Sequence, residues 1–338
     1  MLNIVVSVII PTFNESEYID ECIKSLLDQD YPMEMMEWLF VDGDSTDDTV
    51  KKIEAYRVKY PGQIKVLRNR HRTVPYAMNI GISCSQGNYI IRLDAHSYYE
   101  RTYISKCIYY LEKTNADNVG GIAETKAKGF IGNCIAKMLS SRFGVGNSAF
   151  RTNGKSGPVD TVPFGAFRRE VFSKYGGFDE RLDRNEDNEI NYRIRKNGGV
   201  VYLCDDIHFS YYCRNTITGI MKMAKQNGKW NVITMKICPG AMGIRHYIPL
   251  IFVFSIIMGG LLGFKSILFW YLLLAELILY FLLDVLFTLQ KSRRIKEMII
   301  LLALFPMFHV SYGIGSIIGL CKLFSKEFVS DDYAPPKI

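Results

Sequence analysis

Three long apolar runs crowd the C-terminal part of this 338-residue chain, and no single soluble core accommodates all of them. Ile248–Phe264 carries no charge. Ser266–Leu289 is apolar apart from Glu276 and Asp284, and Met298–Cys321 holds one histidine and one proline. A helix needs roughly 20 residues to cross about 30 Å of hydrocarbon. The expectation is therefore three transmembrane helices within residues 248–324, followed by a tail, 325–338. The basic loop Lys291, Arg293, Arg294 and Lys296 belongs on the cytoplasmic side, whereas Lys265 alone separates the first two runs. Counting back gives a multi-pass protein of the cell membrane with residues 1–214 in the cytoplasm and an external tail. A third segment broken at Pro306 and Gly313/Gly315, re-entering on the side it left, keeps the tail inside. Glu276 and Asp284 are intramembrane carboxylates, a class often tied to function; Asp284 also lies close enough to the cytoplasmic end to reach the interface.

The formal net charge of +7 suits an anionic partner, such as a phosphorylated donor or a membrane face. No stretch resembles a compact nucleic-acid-binding module, so nucleic acid is not an expected partner. The eight cysteines form no C-x-x-C pair, which argues against a zinc knuckle or a redox motif. Met1–Thr12 has no basic leader or cleavage site and reads as a buried strand.

Ahead of the apolar runs, strand and helix signals alternate. Val5–Ile10 is a β-branched run ended by Pro11, and Asn14 with Glu17 has the spacing of a capping box before a helix bearing Ile19, Cys22, Ile23, Leu26 and Leu27. Strands are expected at Trp38–Val41, Ile64–Leu67 and Tyr89–Leu93, and helices at Thr46–Val58 and Tyr76–Ser83. This order implies an α/β, Rossmann-like, mostly parallel sheet, whose ligands bind beyond the carboxyl ends of the strands. Those ends are acidic: Asp42 and Asp44 follow one strand, and Asp94 with His96 follows another. Carboxylates there hold a divalent cation, or accept hydrogen bonds from a base or ribose. The first strand leads into Pro11-Thr12-Phe13-Asn14-Glu15 rather than G-x-G-x-x-G, which disfavours a dinucleotide-binding dehydrogenase.

Val6-Ser-Val-Ile-Ile-Pro-Thr-Phe-Asn-Glu15, Phe40-Val-Asp-Gly-Asp-Ser-Thr-Asp-Asp-Thr49 and Arg92-Leu-Asp-Ala-His96 resemble the inverting family 2 glycosyltransferases of GT-A fold. Ser140–Phe150, Val162–Arg169 and Arg184–Tyr192 are similar to the ExoA-like branch that serves succinoglycan and exopolysaccharide assembly. The likeness runs over roughly residues 4 to 320. It implies a sugar transferred from a nucleoside diphosphate to a lipid-linked, polyprenyl acceptor with inversion, a divalent cation (Mn²⁺ or Mg²⁺), and a bilayer beside the site. It also implies base recognition by Asp42 and metal binding at Asp94-Ala-His96, where the family's D-x-D ends in histidine. Imidazole suits Mn²⁺ better than Mg²⁺; the other reading of His96 is a hydrogen-bonded loop residue. His208 is a second candidate ligand. Pro11, Asn14, Glu15 and Asp44 line the donor side, and Arg72 and Arg214 have the planar guanidinium that binds two diphosphate oxygens.

An inverting transfer needs a group that takes the proton of the attacking hydroxyl. The family places it in an E-D pair at a helix start, here Glu186-Asp187, with Asp187 as base and Glu186 raising its pKa. The other reading is a solvated acidic helix start favoured by the helix dipole. Residues 215–247 read as an amphipathic interfacial linker, with an Ile217, Ile220, Met221, Ala224 stripe beside Lys222, Lys225 and Lys229; packing on the catalytic domain is the alternative. Gln226-Asn-Gly-Lys-Trp230 resembles the Q-x-x-R-W motif of processive synthases, which makes Gln226 and Trp230 acceptor-side candidates. A processive polysaccharide synthase and a non-catalytic membrane scaffold are the competing functions.

Overall fold

The computed structural model describes residues 4–323 and 335–336. The strands are β1 (Val6–Thr12), β2 (Met36–Asp42), β3 (Ile64–Arg68), β4 (Tyr89–Arg92), β5 (Ser97–Tyr99), β6 (Asn118–Lys126), β7 (Gly157–Pro158), β8 (Ala166–Arg168) and β9 (Val201–Tyr212). The helices are α1 (Ile19–Leu27), α2 (Thr49–Lys59), α3 (Val74–Cys84), α4 (Tyr103–Thr114), α5 (Gly129–Leu139), α6 (Arg142–Val145), α7 (Glu170–Tyr175), α8 (Glu186–Lys196), α9 (Ile217–Ile237), α10 (Ile248–Gly263), α11 (Ile267–Lys291) and α12 (Ile295–Leu323). They assemble into two compact units. One comprises Met1–Glu124, Asn153–Tyr211 and Asp331–Ile338; the other comprises Thr125–Thr152 and Tyr212–Ser330.

The first unit is built on a sheet in the order β3-β2-β1-β4-β8-β6-β9-β5, with β7 pairing β9. β1, β2, β3 and β4 are parallel, and β2 is buried along its whole length, as strands covered on both faces are. α3 lies directly on β1: a Cβ at Gly81 would fall 2.5 Å from Ile9 Cγ2. Beyond β4 the pairings β4–β8, β6–β8, β5–β9 and β7–β9 are antiparallel, so the expected mostly parallel sheet is in fact mixed. β2 lies on one side of β1 and β4 on the other. The order of strand addition reverses there, which opens a crevice at their carboxyl ends.

Two local expectations change. Pro11 does not end β1, which continues to Thr12 opposite Asp42. Pairing with β4 stops at Ile9↔Arg92, so the missing N–H of Pro11 falls where no neighbour needs it. Nor does Asn14 cap a helix. It adopts φ +55°, its Oδ1 accepts the Thr46 N–H at 2.8 Å, and α1 begins at Ile19.

The second unit is helical. α9 and α12 approach at backbone distance: a Cβ at Gly228 would lie 1.9 Å from Tyr312 O, and one at Gly315 2.0 Å from Lys225 O. The segment read as an interfacial linker is thus a 21-residue helix whose buried residues Ile220, Ala224, Gly228 and Trp230 accompany this seam. α5 joins it, with Lys137 ion-paired to Glu297 of α12. α11 and α12 are long and apolar enough to cross a membrane, but the first apolar run yields only 16 residues in α10. That is about 24 Å at the helical rise, short of the hydrocarbon thickness. Ile251, Phe254 and Leu261 of α10 and Leu272, Leu279 and Leu282 of α11 are exposed. An apolar surface of this extent marks a membrane-associated protein.

Most of the tail lies outside the described residues, but Pro335 and Pro336 belong to the first unit. The Gly177 N–H donates to Pro336 O at 2.7 Å. Pro336, within the segment read as the tail, is thus held by a backbone donor just past α7.

Candidate active site

The crevice at the ends of β1, β2 and β4 is organised by one buried guanidinium. Arg92, 4% exposed at the end of β4, places Nη2 2.9 Å from Glu186 Oε1 and 3.8 Å from Asp94 Oδ1, while Nη1 donates to Asp187 Oδ1. Its face lies over the Phe164 ring, 5.9 Å from the centroid. A charge buried this deeply persists only when paired. Here three carboxylates share it, which leaves excess negative charge in the crevice.

Glu186 and Asp187 open α8, where three acidic residues in the first turn complement the dipole. That helix is fixed from below. Asn191 Nδ2 donates to Thr161 Oγ1 at 2.9 Å, Asn118 Nδ2 donates to Asn191 Oδ1 at 2.6 Å, and Arg193 Nη2 donates to Gly177 O at 2.8 Å. Glu186 is enclosed, whereas Asp187 keeps 23% of its side chain open. Burial pushes the Asp187 carboxyl up to about 7. Arg92 opposes that rise, and Glu186 and Asp94 add to it. Asp94 is likewise raised, first by burial.

From Asp94 the contacts continue towards the other strand ends. His96 Nε2 lies 3.9 Å from Asp94 Oδ2, and its Nδ1 lies 3.1 Å from Glu15 Oε1. The Glu15 N–H donates to Thr49 Oγ1 at 2.8 Å, and the neighbouring Asn14 N–H donates to Ser45 Oγ at 2.9 Å. Ser45 donates in turn to Asp42, through Oγ at 2.5 Å and through N–H at 2.9 Å. Asp42, Asn14, Glu15, His96, Asp94, Arg92, Glu186 and Asp187 thus form one continuous chain around the crevice. Asp44, at φ +59°, is turned to Arg68 (Nε–Oδ1 2.5 Å), whose hydrogen bond holds its carboxyl below the usual range. Arg72, exposed at φ +63°, lies 5.6 Å from the centroid of the exposed Phe13 ring.

His208 stands elsewhere on the sheet. His208 Nδ1 faces Glu124 Oε1 at 3.7 Å. It is three residues along β9 from Tyr211, the residue whose ring lies beside His96, hence about 10 Å away along the strand. The extended strand keeps it from joining Asp94 and His96. Arg214, Gln226 and Trp230 belong to the helical unit. Arg214 is exposed and packs near Gly219, Gln226 is half-buried, and Trp230 is buried with Lys229 Nζ 5.3 Å from its ring centroid.

No group of three or more His, Cys, Asp or Glu side chains gathers into a metal-type cluster among the described residues. The donor set at Asp94 and His96 nonetheless fits a cation of the kind held by one or two protein ligands together with substrate phosphates. Glu15 behind Nδ1 is the outer-shell carboxylate such a histidine ligand ordinarily has.

The role of Arg92 escaped the sequence reading, although a lone charge ending the apolar run Tyr89-Ile-Ile-Arg92 is the signal of a buried partner. Phe13 carried no such signal.

Comparisons with known proteins bear on the family and the fold. The sequence profile described as glycosyl transferase family 2 matches residues 7–176. The chain is 30% identical, over 94% of its length and 97% of the relative's, to the dolichyl N-acetyl-alpha-D-glucosaminyl phosphate 3-beta-D-2,3-diacetamido-2,3-dideoxy-beta-D-glucuronosyltransferase of Methanococcus voltae. It is 27% identical to the succinoglycan biosynthesis protein ExoA of Rhizobium meliloti, over 72% of this chain and 74% of that one. In fold it is similar to the mannosyltransferase PcManGT of Pyrobaculum calidifontis, solved with GDP-Man and Mn²⁺, at TM-score 0.57 and 17% identity over 91% and 86% of the two chains. It is also similar to S. aureus TarS 1-349, at TM-score 0.51 and 17% identity over 94% and 92%. With the profile match over half of its length and the near-full-length M. voltae relative, the chain belongs to glycosyl transferase family 2.

Proposed function

We propose that this glycosyltransferase moves a sugar from a nucleoside-diphosphate donor to a polyprenyl-linked acceptor with inversion, in exopolysaccharide or related surface-glycan assembly. Its helical unit sits in the cell membrane and its catalytic unit faces the cytoplasm. The observation that carries the reading is Asp187 itself, raised to about 7 first by burial and held by Arg92 while one edge of it stays open. The M. voltae relative, matched over nearly its whole length, is named for a dolichyl-linked acceptor, which supports a lipid-linked acceptor here.

Asp187 is the base. Its Oδ1 is held by Arg92, and the open edge faces outward to take the acceptor's hydroxyl proton as that oxygen attacks the anomeric carbon. A carboxyl titrating near neutrality is matched to that task. Glu186, Arg92 and Asn191 fix its orientation. On the donor side, Asp42 accepts hydrogen bonds from the base and the exposed Phe13–Arg72 pair flanks the nucleotide. Asn14 and Glu15 hold the loop between them. A divalent cation, when bound, would be held by Asp94 and His96, and it supplies charge neutralisation to the leaving nucleoside diphosphate. Imidazole in that set favours Mn²⁺ over Mg²⁺.

The test is transfer by full-length protein in detergent, using a nucleotide-sugar panel and a polyprenyl-diphosphate-linked sugar acceptor, with the anomeric configuration of the product read by NMR. Asp187→Asn should abolish transfer while donor binding persists. Retained configuration, or full activity of that variant, would overturn the mechanism.

A further inference from the structure

The helical unit contains a cavity of about 330 Å³ that the transfer chemistry does not use. Its walls include Phe252, Leu283, Phe287 and Phe308. Arg142, Arg245 and His246 also line it, and no aspartate or glutamate does. A site of this kind suits a ligand with an apolar body and an anionic group.

The cationic part is held in place rather than carried on a loose loop. Phe143, next to Arg142, stacks on Phe287 with centroids 5.2 Å apart and planes 3° from parallel. The Phe143 carbonyl accepts a hydrogen bond from His309 Nε2 at 2.9 Å, which leaves Nδ1 to accept from Tyr280 O–H at 2.8 Å. Helices α11 and α12 thereby fix the backbone beside Arg142. Arg245 is set by its 3.2 Å hydrogen bond to Asn147 and by packing over Gly146. Two guanidiniums on separate segments are the arrangement that binds phosphate oxygens.

We propose that this cavity binds the phosphate and first isoprene units of the polyisoprenyl acceptor, with Arg142 and Arg245 on the phosphate and Phe252, Leu283 and Phe308 around the chain. The assignment rests on the lipid-linked acceptor reading and adds the place where the lipid is gripped. The volume is at the low end of ligand sites and suits a single chain rather than the paired acyl chains of a phospholipid. The charged lining excludes an uncharged isoprenol as the preferred occupant.

The experiment uses full-length protein in neutral detergent and a benzophenone-bearing geranylgeranyl phosphate, with cross-linked peptides mapped by mass spectrometry. Labelling is expected on peptides containing Phe252, Leu283 or Phe308, competed by geranylgeranyl phosphate but not by geranylgeraniol or phosphatidylglycerol. Arg142→Gln/Arg245→Gln should reduce labelling about tenfold or more. Leu283→Trp, which fills the cavity, should do the same, while both variants keep the slow hydrolysis of donor by water that reports an intact catalytic unit. Transfer to a lipid acceptor with the label mapping elsewhere, or with equal competition by phosphatidylglycerol, overturns the cavity assignment and leaves the proposed function standing. Transfer to water-soluble glycans alone, with no lipid acceptor used, overturns both.

Discussion

Replacing Arg92 by glutamine removes the cation shared by Asp94, Glu186 and Asp187 while keeping much of the side chain's length. Breaking a buried ion pair costs about 3–5 kcal/mol, and the lower end applies because Asp187 is 23% open to solvent. The protein recovers part of this cost by protonating a carboxyl. Asp187, already raised to about 7, is the group placed to do so, because Arg92 is what holds it down. About 3 kcal/mol corresponds to roughly two pH units. Asp187 must be ionised to act as base, so activity climbs with pH through its pKa, and the acid limb of kcat/KM should move from near 7 to about 9. At pH 7 the rate should fall about fifty-fold and recover in alkaline buffer. Arg92→Lys, which keeps the charge, should show an intermediate shift. Initial rates of transfer between about pH 5.5 and 10, with donor affinity measured in parallel, make the comparison. A folded Arg92→Gln enzyme with an unmoved acid limb would refute the claim that this guanidinium tunes the base.

Stability should carry the same signature. A carboxyl whose folded pKa is raised binds a proton more tightly when folded, so its favourable contribution is complete below about 4 and is lost as pH rises through about 7. The donor-free wild type should therefore lose more thermal stability between pH 5 and 8 than Asp187→Asn, a difference that thermal melts in detergent will read. His96→Asp, which creates an all-carboxylate motif, should move the preferred cation from Mn²⁺ towards Mg²⁺ in metal titrations of transfer; no change would remove His96 from the metal site. Gly315→Val should lower the Tm of the helical unit by forcing α12 away from α9, at a cost of about 1–3 kcal/mol or more. An unchanged melt would show that the seam is looser than the 2.0 Å approach requires.

The parallel half of the sheet was legible because each of its strands is a short β-branched run followed by a helical period, and such patterns are local. The acidic strand ends were legible for the same reason, whereas the E-D pair was picked out by the family resemblance. What escaped depends on distant residues. β7 and β8 are two and three residues long, too short to show alternation, so the antiparallel pairings made through them were invisible. Thr125–Thr152 joins the helical unit through contacts such as Lys137 with Glu297, and nothing in its own composition announces that partner. Asn14 looked like a helix cap because its spacing to Glu17 is right, but a bond to Thr46 across the crevice outcompetes that use. Arg92 was visible as a residue, yet its three partners converge from the turn after β4 and from α8, 94 or more positions apart for Glu186 and Asp187.

The bond between Gly177 and Pro336 has a topological result. It closes the chain from residue 177 to residue 336 into a loop that holds α8 to α12, so loosening this one contact frees Pro335 and Pro336 from the sheet-bearing unit.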